Sequence, residues 1–342
     1  MIKKQYFLAA NGYSGFRSYF EEEFNSKNYT KIFVLKGGPG TGKSSLMKKI
    51  SSNFGPLTDT TEEILCSSDP KSLDGVILSK NSQKIALLDG TNPHERDAVI
   101  PGAVDELVDL GKGWNKRFLQ AQRENILDLN KQKKFAYKTA YSYLAISGAI
   151  NSEISKLVNQ FYISSNVKFD INNRAEANFK ENTRLISAFC KHNLYALDTL
   201  KNTNLKKIFI KGEKEICYIF LNDILSKARL FANEITRFPS PLDNSKTEAI
   251  LIHDSDTVYL IGDGENSIDL TENIKKDQVA LENFTRLKIL ESETLCEAAR
   301  WFNIASEFHF RLEEIYSSAM NFSVIDEISE SISDEIGDIL LK

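Results

Sequence analysis

Ile32–Leu35 is the clearest early apolar block, flanked by Lys31 and Lys36. Apolar on consecutive positions, with β-branched and aromatic members, residues 30–36 read as a buried strand. The stretch that follows, KSSLMKKISSNF, sets Leu46 and Ile50 four apart and predicts a helix. EEILC (62–66) reads as a second strand. SDPKSLDG (68–75) reads as a turn or short helix, with Asp69 and Pro70 as an N-cap and N1 pair. GVIL and KIALLDG flank a turn at KNSQ and predict either a hairpin or two separate strands. PGAVDELVDLG (101–111) reads as a capped helix. From Trp114 to Phe161 breakers are nearly absent, while Tyr137, Tyr141, Leu144, Gly148, Ile154, Leu157 and Phe161 recur at helical steps. That pattern predicts one very long helix or a helical hairpin. INNRAEANFKENTR (171–184) is polar and aperiodic and marks a boundary.

Beyond that boundary the order of segments repeats. KKIFIKG (206–212) matches KIFVLKG, and FLNDI (220–224) matches LMKKI (46–50). SPLDNSKTEAIL (240–251) falls on CSSDPKSLDGVI (66–77), keeping the Asp and the acid before the small residue. TVYLIGDGEN (257–266) falls on KIALLDGTN (84–92) with one extra residue. The tail VIDEISESISDEIGDIL carries Ile325, Ile328, Ile332, Ile336 and Ile339 three or four apart, an amphipathic helix. A nearly constant offset over four ordered segments predicts a tandem duplication. The expected fold is α/β: two domains of one type, residues 1–178 and 179–342, with parallel-rich sheets and long helical extensions.

The chain has 342 residues, 42% hydrophobic and 26% charged, with net charge −4. That balance argues against a surface built to coat nucleic acid or an acidic membrane. The lysines of NKQKKFAYK (130–138) read as the wet face of a helix whose aromatics turn inward. Cys66, Cys190, Cys217 and Cys296 are scattered, which fits a reducing compartment better than a zinc or disulfide framework. Cys66 reads as a small buried hydrophobe. With no signal-peptide pattern and no apolar run of about 18 residues, a cytoplasmic protein without membrane spans is expected.

The chemistry concentrates in GGPGTGKS (37–44). Phosphates demand several donors with no side chains in the way. Glycine lets backbone N–H groups turn inward, and a following helix N-terminus adds partial positive charge. Gly37, Gly38, Gly40, Thr41, Gly42, Lys43, Ser44 and Ser45 would hold a nucleotide, ATP or GTP. Lys43 would reach the outer phosphates, and Ser44 would ligate Mg²⁺. In KIALLDG the apolar strand ends at Asp89, the acid expected to complete the magnesium shell. Gly90 follows it where many hydrolases carry Glu, so the base stays open among Asp69, His94 and Glu95. In the second half, KGEKEICYIF puts Glu213 and Glu215 in the loop and Cys217 or Tyr218 at the lysine position. Carboxylates and bulky Cβ-bearing residues would exclude a phosphate there.

The strings LKGGPGTGKSSLMKKI, CSSDPKSLDGVIL, KIALLDGTNPHERD and PGAVDELVDLG together resemble a family of bacterial ATP-binding proteins, predicted ATPases of the P-loop class. The likeness covers residues 5–180 well and the rest weakly. It implies tandem P-loop halves, ATP binding at Gly37–Ser45, and site roles for Asp69, Asp89 and His94. The lost second loop departs from a two-nucleotide pattern. The leading expectation is an Mg-dependent ATP or GTP hydrolase with one active site. A small-molecule kinase and a non-catalytic nucleotide switch are the alternatives. Arg184, Arg237 and Arg286 are candidate fingers reaching from the second half to the outer phosphate.

Overall fold

A computed structural model describes residues 2–161, 179–273 and 278–340. The first half opens with β1 (Ile2–Phe7), the hairpin β2 (Ala9–Gly12) and β3 (Gly15–Ser18), and α1 (Phe20–Glu23). Next come β4 (Lys31–Lys36), α2 (Lys43–Phe54), β5 (Thr60–Leu65), β6 (Leu73–Lys80), β7 (Gln83–Asp89) and β8 (Asp105–Asp109). Two helices close it, α3 (Lys116–Ala121) and α4 (Arg123–Phe161).

The second half runs β9 (Lys180–Thr183), β10 (Ser187–Cys190), β11 (Asn193–Ala196), β12 (Lys206–Lys211) and α5 (Lys214–Phe231). It continues through β13 (Glu234–Pro239), β14 (Thr247–Ile252), β15 (Thr257–Ile261), β16 (Ser267–Asp269), α6 (Gln278–Ser318) and α7 (Phe322–Leu340).

The described residues form a mixed α/β structure with the short pairs β2-β3 and β10-β11 and two six-stranded sheets. Their orders are β1-β5-β6-β7-β4-β8 and β9-β13-β14-β15-β12-β16. In each, five strands are parallel and one, β6 or β14, runs against the rest. The interior of β4 is buried at every position, as a central parallel strand requires. The sheets agree in detail. Pairing of β5 with β6 slips between Ile64 and Leu65, so Asp74 is skipped; pairing of β13 with β14 slips between Phe238 and Pro239, so Glu248 is skipped. Extending both registers makes Phe7 the counterpart of Leu185. These two residues bond each other reciprocally, Phe7 N–H to Leu185 O at 2.9 Å and Leu185 N–H to Phe7 O at 3.0 Å. Such reciprocity is the signature of an isologous contact.

The helical tails cross over. α4 brings Ile154 and Val158 into a cluster with Ile216, Phe220 and Ile224 of α5. The Ile stripe of α7 is buried in the first half: Ile325, Ile332, Ile336 and Leu340 share a core with Leu46, Met47 and Ile50 of α2. The cores therefore mix residues from both sides of position 178. α4 and α6, of 39 and 41 residues, pack along each other.

Three local expectations change. Residues 101–111 form no capped helix; they hold the edge strand β8, parallel to β4. Val104, Leu107 and Val108 suit either period over so short a run, and the open edge of β4 decides between them. GVIL and KIALLDG form an antiparallel pair closed at Asn81 and Ser82, with Asn81 left-handed at φ 51°. Residues 68–72 are a turn without helix, in which the Ser72 N–H donates to Asp69 O at 2.8 Å. The boundary segment 171–184 lies mostly outside the described residues; its last part contains β9. Among the described residues no helix is long and apolar enough to cross a membrane.

Candidate functional site

The five parallel strands of the first sheet end on one edge, and the candidate residues gather there. Ligands of α/β sheets bind at such carboxyl edges. Residues 37–42 link β4 to α2 without regular structure. Gly40 and Gly42 stand at φ 70° and 88°, a backbone region L side chains rarely adopt. Gly42 thereby caps the helix that begins at Lys43. The Thr41 hydroxyl donates to Gly38 O at 2.9 Å and braces the loop from within.

The Lys43 ammonium donates to Gly37 O at 2.7 Å and Gly38 O at 2.9 Å, and lies 3.6 Å from Asp89 Oδ2. Asp89 Oδ1 accepts from the Thr91 N–H at 2.9 Å and the Thr91 hydroxyl at 2.6 Å, leaving Oδ2 turned to the lysine. Ser44 Oγ accepts from the Leu73 N–H at 2.9 Å, tying the helix start to β6. Ser45 is exposed on the first turn of α2. Glycine loop, Lys43, Ser44 and Asp89 are thus held at one edge by three different strands.

His94 and Asp69 take other surroundings. His94 Nε2 lies 3.1 Å from Asp74 Oδ2, and its ring stacks on Phe20 at 4.2 Å. The ring is buried, and its Nδ1 has no hydrogen-bond partner. Asp69 works within its own turn, Oδ2 accepting from the Ser72 hydroxyl at 3.3 Å. Asp74 is the site-edge residue that motif reading missed. Its signal was the acid kept before a small residue in both halves, Asp74 and Glu248. A bulge re-aims the side chain it carries, which explains how Asp74 meets His94. Cys66 is half-buried rather than buried as expected; desolvation, with Asp74 close by, pushes its thiol well above its usual pKa.

The second half's tail touches the loop. The rings of Trp114 and Tyr316, 5.7 Å apart, flank Gly38. A Cβ on Gly40 would lie 2.6 Å from Glu313 O of α6, so backbone meets backbone there. The Trp114 indole nitrogen is buried without a partner.

The counterpart region is built differently. Burial aligns Leu46, Met47 and Ile50 with Phe220, Leu221 and Ile224, which sets Cys217 where Lys43 stands. Where the first half has its glycine loop the second half has a further turn of helix, since α5 already begins at Lys214. Strand register gives a correction too. Leu35 faces Asp89, and its equivalent Ile210 faces Ile261. An apolar residue therefore stands at the acid position, and Asp263, two residues on, pairs with Lys211 at 2.7 Å.

Two candidate fingers are committed elsewhere. Arg184 is clamped between Glu23 at 2.7 Å and Glu62 at 3.1 Å. Arg237 bonds Thr247 Oγ1 at 3.2 Å and the Asn244 carbonyl. Arg286 is exposed on α6. On α4, Lys131, Lys134 and Lys138 are exposed as expected, but so is Phe135, against the expectation that the aromatics turn inward. No family model, curated protein or solved structure matches the chain.

Proposed function

We propose that the protein binds one nucleoside triphosphate with Mg²⁺ at Gly37–Ser45 and hydrolyses it, ATP being the first candidate and GTP the second. The observation that carries this reading is the loop itself: left-handed Gly40 and Gly42 between a buried parallel strand and a helix, with Lys43 3.6 Å from Asp89. Lys43 bonds the Gly37 and Gly38 carbonyls, so its charge lies at the loop's mouth. A phosphate would exchange those two acceptors for its own oxygens, a stronger charge-assisted bond. The donor set fits a hard cation: the Ser44 hydroxyl and the Asp89 carboxylate offer oxygen alone. Bound there, the metal would neutralise charge on the transferring group. Lys43 would add its own stabilisation of that charge, and the Gly40 and Gly42 N–H groups would position the phosphates.

We further infer that the halves arose by duplication and that the second lost its loop. Strand order, strand sense and the position of the bulge all support this. A non-catalytic switch is the second reading, favoured by Gly90 directly after Asp89, where no carboxylate orients water. Phosphate release from ATP with Mg²⁺ tests the proposal. Steady release by the wild type, lost in Lys43→Ala, supports hydrolysis. Tight binding without release supports the switch, and absence of both binding and release refutes the site.

A further inference from the structure

We infer that the second half holds a ligand site of its own, made for a small zwitterion of amino-acid size. Two adjoining clefts of about 310 Å³ each share Asn151, Glu215, Tyr218, Asp243 and Lys246. They lie at the start of α5 and the loop after β13, which is where the first half keeps its glycine loop and residues 66–72. The space that faces a nucleotide site in one half thus faces a charged cleft in the other.

Its walls hold ions in pairs. The Lys246 ammonium donates to Glu215 Oε2 at 2.5 Å, Asn151 Oδ1 at 2.6 Å and Ser155 Oγ at 3.1 Å. Glu291 Oε1 accepts from Asn151 Nδ2 at 2.6 Å and the Tyr13 hydroxyl at 2.9 Å, while its Oε2 takes Lys288 at 3.0 Å. Glu215 and Glu291 are each 5% exposed. Burying such ions is costly, and well-packed apolar residues would often serve stability as well or better. A fold with no use for the charges has little reason to line a cleft with them.

The ion pairs select the ligand class. In the lining Lys246 pairs with Glu215 and Lys288 with Glu291, while Lys214 lies 3.4 Å from Glu248 outside it and Asp243 accepts from the Ser245 N–H at 2.9 Å. A net cation or anion would leave one sign uncompensated in a part-buried space. A zwitterion brings both and can open one pair without leaving a charge bare, its ammonium taking the place of Lys246 on Glu215 or of Lys288 on Glu291 and its carboxylate taking the lysine so released. Phosphates are disfavoured because Glu213 and Glu215 stand at the start of α5.

The test is thermal unfolding of the full chain with each proteinogenic amino acid in turn, and with putrescine and succinate as dication and dianion controls. At least one amino acid should raise Tm by several degrees while both controls leave it unchanged. The shift should vanish in Lys246→Gln and Glu291→Gln and persist in Lys43→Ala, which separates this site from the nucleotide reading. Should either variant fail to fold, the wild type still decides. Exposed Cys296 lines one cleft, so the stabilising amino acid should slow its maleimide labelling several-fold. The inference is overturned if no amino acid shifts Tm, if a control shifts it equally, if the shift survives both variants, or if Cys296 labels at an unchanged rate.

Discussion

β4 and β12 occupy equivalent places in two sheets of identical order, yet the chain leaves them in opposite ways. After β4 comes an irregular loop with two left-handed glycines, then a helix led by Lys43. After β12 comes one glycine, one glutamate, and a helix at once. The strand and the buried face of the helix are retained in both, because burial requires them. The connection between them differs, since packing constrains the strand and the helix face and leaves the loop free to vary.

The largest expected effect tests how the halves hold together. Arg184 has Tyr6 as its register counterpart, so its clamp on Glu23 and Glu62 is one-sided. Arg184→Ala leaves two carboxylates facing each other and should cost about 3–5 kcal/mol, read from denaturant unfolding. A loss below about 1 kcal/mol, the range of an exposed pair, would show that the clamp joins nothing.

Next is the loop. Lys43→Ala should lower turnover by about 100- to 1,000-fold, the range for removing one preorganised donor. Lys214→Ala, at the equivalent helix start, should leave turnover unchanged. Equal losses in the two variants would erase the distinction between the halves.

The third effect depends on pH. Burial alone would raise the Glu23 pKa, but Arg184 and Lys84 reverse this and hold it at about 2, against 4.5 unperturbed. A depressed folded-state pKa gives stability that is present above pH 4.5 and lost as pH falls towards 2. The shift corresponds to about 3 kcal/mol at most. Glu23→Gln should flatten the stability profile across that window and lower the plateau above it. A profile as steep as the wild type's would place the acid sensitivity elsewhere.

The smallest effect is an expected non-effect on the nucleotide. Tyr218→Phe removes a hydroxyl 3.4 Å from Glu248 and should cost about 1 kcal/mol of stability. Nucleotide affinity should not change, and a tenfold loss would reopen the second half as a phosphate site.

Much of this architecture was readable from residue order. β4, α2, β5, β12 and α7 follow from apolar spacing, and the repeat follows from segment order. The misreading at 101–111 has a physical cause: a five-residue strand with two apolar side chains takes its identity from the neighbouring edge of β4. The pairing of His94 with Asp74 was not legible, since a bulge and a loop after β7 bring together residues twenty apart. That an apolar residue of the second half takes the place of Asp89 was visible only in register. Sequence alignment slides Asp263 towards Asp89, whereas the hydrogen-bond ladder puts Ile261 there.

Nucleotide stoichiometry tests the difference between the halves most directly. Titration calorimetry with a non-hydrolysable ATP analogue and Mg²⁺ should give one site per chain in the wild type and none in Lys43→Ala. Two sites per chain, or one site that survives Lys43→Ala, would contradict the assignment of binding to the glycine loop of the first half alone.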